Sequence, residues 1–122
     1  MTLLVTQAFL LRWVIAFGLT LLLEAPVYTY LGCRFTNWRM ALATGALASC
    51  ITHPLLWFVW RPLFDSYMCY VLSGECAVIA IEAVVFRSLV KNAPFTQALA
   101  ISLIANATSY GIGVLLQRSG IF

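Results

Sequence analysis

The sequence predicts an all-α integral membrane protein: four transmembrane helices in an up-down bundle with short loops, a single membrane domain over residues 1–122. Three observations predict it. Of 122 residues, 63% are hydrophobic and 9% charged, whereas a soluble domain carries about 25% charged residues. So few charges cannot cover a surface facing water, and a mean hydropathy of +0.97 points the same way. The apolar residues also fall into four stretches, each long enough to cross ~30 Å of hydrocarbon, which takes about 20 residues at 1.5 Å per residue. Finally, the links between them are short, which makes successive helices antiparallel neighbours.

The first span is expected over approximately 5–31. Its start carries no basic region and the apolar run outlasts a signal peptide, so it is a retained span. Pro26, late in this span, marks a bend or an early helix end. The second span is expected at 40–60, with a kink at Pro54. There the missing backbone N–H and the ring clash four residues back break the hydrogen-bond ladder. The third span covers 67–90 and the fourth 95–116. Gly32, Asn37, Pro62, Asp65, Asn92 and Pro94 punctuate the links, as helix ends require. A β-barrel is excluded because runs such as Leu19–Leu23 and Ile79–Ile81 do not alternate apolar and polar.

The net charge of +3 comes from dispersed basic residues, without the stripe that nucleic-acid binding needs. Arg34, Arg39, Arg87 and Lys91 mark the side of the first and third links, side A. Arg12, Arg61 and Arg118 mark the opposite side, side B. This small excess favours a cytoplasmic side A. Cys33, Cys50, Cys69 and Cys76 form no CxxC pair and read as small apolar filler. Tyr28, Tyr30, Trp38, Trp57 and Trp60 are expected in the interfacial aromatic belts.

The costly residues are the acids. Glu24, Glu75 and Glu82 lie inside apolar runs, where an ionised carboxylate costs about 2.5–3.5 kcal/mol on insertion scales. Such groups must face the bundle interior, find partners, or take up a proton. Glu75 and Glu82, seven apart, share one helix face about 10 Å apart along the axis. Antiparallel threading sorts the polar residues into two depths. Toward side A it groups Glu24, Glu82, Ser102 and Asn106. Toward side B it groups Glu75 with His53 as a proton-sharing or metal-ligand pair, with Ser109 and Tyr110 within reach and Arg12 approaching. Ser102, Asn106, Ser109 and Gly113 form a small and polar stripe on the fourth helix, suited to close packing; Gly111 and Gly113 are read as helix contact points.

No P-loop, dinucleotide glycine pattern, HExxH or nucleophile elbow is present. One histidine and no Glu-Glu pair exclude an intramembrane CAAX-type protease. The pieces Leu-Glu-Ala-Pro, Thr-His-Pro-Leu-Leu-Trp and Ala-Asn-Ala-Thr-Ser-Tyr-Gly resemble stretches of small polytopic membrane proteins of bacteria, which implies an inner (plasma) membrane location and no particular activity.

Three functions compete. The first is a transporter or an ion- or proton-coupled carrier using a seam of Glu24, His53, Glu75, Glu82, Asn106 and Ser109. The second is a non-catalytic subunit or assembly factor whose acids pair with a partner membrane subunit. The third is an enzyme acting on a lipid-borne substrate. No catalytic residue is assigned and a non-enzymatic role is preferred. No cofactor is strongly implied; a divalent cation on His53 and Glu75 is the candidate. The expected partners are the bilayer itself and a second copy or another membrane subunit.

Overall fold

In the computed structural model, which describes residues 2–121, the chain is all helical, with no strand among the described residues. Helix α1 runs Thr2–Gly32, α2 Trp38–Pro54, α3 Tyr67–Leu89 and α4 Phe95–Arg118. Helix α2 continues through a π-helical segment, Leu55–Trp60, and a 3₁₀ turn, Arg61–Leu63. Among the described residues, four helices are thus long and apolar enough to cross a membrane: Thr2–Gly32, Trp38–Leu63, Tyr67–Leu89 and Phe95–Arg118. Each helix packs against its sequence neighbours and α1 closes the ring against α4.

Side chains fix the helix starts. Asn37 caps α2 by accepting from the Met40 N–H at 2.8 Å, and Ser66 caps α3 through the Cys69 N–H. These caps satisfy N–H groups that the helix leaves free. The expected kink at Pro54 takes the form of the π segment. Proline cannot donate to the carbonyl one turn back, and the following residues widen to five-residue spacing, as in the bond from Arg61 N–H to Leu56 O. Pro26, by contrast, lies inside an uninterrupted α1.

Small residues set how closely the helices approach. The buried positions of α2 include Ala41, Thr44, Gly45, Ala48, Ser49 and Thr52, a stripe at helical spacing. A side chain at Gly45 would lie 2.5 Å from Tyr28 Cβ, so only glycine lets α1 and α2 meet there. Gly32 and Gly74 mark similar approaches, against Ala41 and Phe86 and against Leu56. The apolar core sits toward side A, in Tyr28, Phe86, Val90, Ala93, Ala98, Ile101 and Ala105. Gly18, Gly111 and Gly113 have no neighbour within 4 Å of where a side chain would begin. The expectation that Gly111 and Gly113 are contact points is therefore corrected: a side chain at either position would meet no neighbouring helix within 4 Å.

Candidate functional site

The centre of the bundle holds two carboxylates. Glu24 on α1 and Glu82 on α3 are each 1% exposed. Glu82 is met by three donors from three helices: Tyr28 Oη of α1 at 2.7 Å, Thr52 Oγ1 of α2 at 2.7 Å and Asn106 Nδ2 of α4 at 2.8 Å. Glu24 receives the hydroxyls of Ser49 at 2.7 Å and Ser109 at 2.6 Å. The second Asn106 amide hydrogen goes to Ser102 O at 2.9 Å, and Ser102 Oγ donates to Ile79 O across to α3. Bonds this short to a carboxylate are the strong kind, and they replace the water an acid loses on burial.

The partners also suit a protonated acid. Besides reaching the carboxylates, Thr52 Oγ1 lies 3.1 Å from Ala48 O and Ser109 Oγ lies 3.2 Å from Asn106 O. A hydroxyl has one hydrogen and two lone pairs. When the acid is ionised, the hydroxyl donates to it. When the acid carries the proton, the carboxyl donates to the hydroxyl, which turns its own hydrogen to the backbone carbonyl. Both protonation states keep their hydrogen bonds without any helix moving.

The local sequence explains this convergence. Glu24 and Tyr28 are one turn apart on the buried line of α1, which ends at Gly32. Ser49 and Thr52 occupy the small-residue stripe of α2. Tyrosine on a helix leans back toward the helix start. Tyr28 therefore packs its Cβ over Gly45 and carries its hydroxyl to Glu82.

Of the residues singled out in the sequence, Glu24, Glu82, Asn106 and Ser109 come together, with Ser102 beside them. Ser109 is a correction in depth: it bonds Glu24 rather than joining Glu75 and His53. Tyr28 is a second correction. It is fully buried and bonded to Glu82, not part of an interfacial belt, whereas Tyr30 and Trp38 are 79% and 56% exposed. Ser49 and Thr52 were not anticipated, although their places on the α2 stripe at spacings of three and four were the available signal.

The expected pair of His53 and Glu75 does not form: no hydrogen bond or ion pair joins them among the described residues. Matching depth fixes height along the bundle but not direction around a helix. α2 presents His53 to α1, where the rings of Phe17 and Trp13 lie 5.1 and 6.3 Å from the imidazole. At that depth α2 meets α3 through Leu56 and Trp60 against Gly74. Glu75 is half-buried, and Tyr110 and Arg12 are exposed. The metal candidate loses its geometry with the pair, and no group of three or more metal-ligating side chains occurs among the described residues.

Fold and site together define an all-helical bundle of the multi-pass membrane type, built around an internal carboxylate network. Comparison with models of known families, with curated proteins and with solved structures finds no match.

Proposed function

We propose that this chain is a small multi-pass transporter of a bacterial inner membrane, and that its translocated species includes the proton. One observation carries the reading: Glu24 and Glu82 point into the bundle and are bonded by side chains of α1, α2 and α4. Acids in apolar helices are costly, and those that face inward mark ion or proton pathways. An acid kept for pairing with a missing subunit would face outward instead. Two of the hydroxyl partners, Thr52 and Ser109, let a proton arrive and leave with little reorganisation, because each has a backbone carbonyl as a second acceptor. Four helices enclose little volume, which restricts the cargo to a proton or a small cation.

The test is purified protein in liposomes loaded with a pH-sensitive dye, under an imposed potassium diffusion potential. Wild-type protein is expected to speed proton uptake well above protein-free vesicles. Glu82→Gln and Glu24→Gln are expected to remove the increase while eluting from a sizing column as wild type does. Wild-type rates equal to empty vesicles, or unaltered rates in both variants, overturn the proposal.

One observation favours a second reading, that of a subunit or assembly factor. Glu75 is half-buried and no ion pair accommodates it among the described residues. A stoichiometric foreign partner retained through gentle extraction, and lost in Glu75→Gln, supports that reading.

A further inference from the structure

His53 is 8% exposed, and its Nδ1 is buried with no hydrogen-bond partner. A core histidine held for packing normally has its ring nitrogens satisfied; this one has three aromatic rings instead. Phe17 lies at 5.1 Å and Trp13 at 6.3 Å, both from α1, and Trp57 stacks on it from one turn along the same helix at 5.9 Å and 24°. In the other direction along α2, one turn away, is Ser49, which donates to Glu24. Beyond Trp57, at side B, is a cavity of about 330 Å³ lined by Phe9, Trp57, Arg61, Asp65, Tyr67 and Tyr70. Arg61 is held there over the Tyr70 ring at 5.2 Å and the Tyr67 ring at 5.9 Å. Trp57 therefore forms part of the cavity wall and is stacked on the imidazole.

We infer that His53 is the side-B proton port of the carboxylate network, with Trp57 as the partition between it and the cavity. The inference rests on the proposed proton traffic through Glu24 and Glu82. A proton from water in the cavity passes the edge of Trp57 and binds the Nδ1 lone pair of the ring protonated at Nε2. It leaves toward Glu24 through water and the Ser49 hydroxyl, which accepts one proton and releases its own. The ring returns to the neutral form, so the step needs no other reactant. The titratable and charged groups on the surrounding elements are few. α1 brings Arg12, which is exposed, and α3 brings Glu75, half-buried and not bonded to His53. α4 brings only exposed Tyr110 and terminal Arg118, and the cavity mouth holds Arg61 and Asp65.

His53 is the only histidine in the chain, so ¹⁵N-histidine labelling reports on it alone. In bilayers, its ring nitrogens are expected to show contact with water and to move from neutral to imidazolium shifts over roughly pH 8 to 4. A ring without water contact and unchanged over that range overturns the inference. In the vesicle assay, His53→Phe fills the box without a protonatable atom and is expected to cut proton flux about tenfold or more, since a positioned proton-transfer group contributes about 10²–10⁴ in enzymes. Trp57→Ala is expected to raise flux several-fold and speed exchange at His53. Undiminished flux in His53→Phe, beside lost flux in Glu82→Gln, removes the port and leaves the transport reading standing. Should wild-type vesicles carry no flux at all, the transport reading falls, and the labelled spectrum alone decides whether His53 is reached from side B.

Discussion

The central and side-A half of the bundle and its side-B half contain similar polar residues but treat them differently. In the first, Gly45 and Ala48 let α2 close on α1, Tyr28 and Phe86 fill the gap, and the carboxylates of Glu24 and Glu82 are bonded from all sides. In the second, Trp13, Phe17, Trp57 and Phe58 hold α1 and α2 together through large rings, while Gly18, Gly111 and Gly113 face empty space. Trp13 Nε1 and His53 Nδ1 have no partner there. The difference is one of reach. A serine or threonine hydroxyl extends only a short way from its backbone, so it satisfies a buried acid only where small residues bring the helices close. Bulky aromatic contacts keep the backbones apart and leave polar atoms without partners.

Substitutions can break or sharpen this contrast. The largest effect is expected from Glu82→Leu, which strands the donors of Tyr28 and Asn106, while Thr52 can still turn to the Ala48 carbonyl. Interhelical bonds in membranes average about 0.6 kcal/mol, but a stranded buried donor costs about 1–3 kcal/mol. The summed loss should be several kcal/mol, read as a collapse of the monodisperse fraction in detergent. Tyr28→Phe removes a single bond and should cost only about 0.6 kcal/mol. Near-equal losses in these two variants would mean that the network does not hold the helices.

Gly45→Ala comes next. Its methyl group meets Tyr28 Cβ and Cγ at 2.5 and 2.6 Å, near the rigid root of the side chain. Overpacking of this kind costs about 1–3 kcal/mol, and displacement of Tyr28 should reduce proton flux as well. Thermal unfolding in detergent followed by circular dichroism measures it. His53→Phe is expected to act in the opposite direction, stabilising the fold by up to about 1 kcal/mol because a buried unpartnered nitrogen disappears. A residue that lowers stability where it stands fits a functional role.

The smallest effect is expected at Gly113→Ala. Open space surrounds that position, and alanine is favoured over glycine inside a helix by up to about 1 kcal/mol. The change should be neutral or slightly stabilising in the same unfolding measurement. A loss comparable with that of Gly45→Ala would mean that side B closes more tightly on α4 than the described contacts allow.

Most of the fold was legible in the chain. Four apolar stretches of sufficient length, broken by Asn37, Asp65 with Ser66, and Pro94, led to four helices whose ends lie within a few residues of expectation. The site was legible only in part. Glu24 and Glu82 announced themselves by being acids among apolar neighbours, and Asn106 by its place on a polar stripe. Tyr28 was not visible as a partner because tyrosine is common at membrane surfaces and its hydroxyl acts about a turn away from its own backbone. Ser49 and Thr52 were hidden because small hydroxyl residues are cheap anywhere in a membrane helix, bonding their own backbone when nothing else is near.

By itself, the sequence determined composition, helix number, helix order and, Ser109 apart, the approximate height of the polar residues along the bundle. These follow from the 1.5 Å rise and from the antiparallel threading that short links impose. Only the tertiary structure decided direction around each helix. It sent Glu82 to Tyr28, Thr52 and Asn106, and turned His53 away from Glu75 into aromatic rings on α1. Rotation about a helix axis is settled by which side chains fit between neighbouring backbones, and in this chain Gly45 and the rings beside His53 settle it.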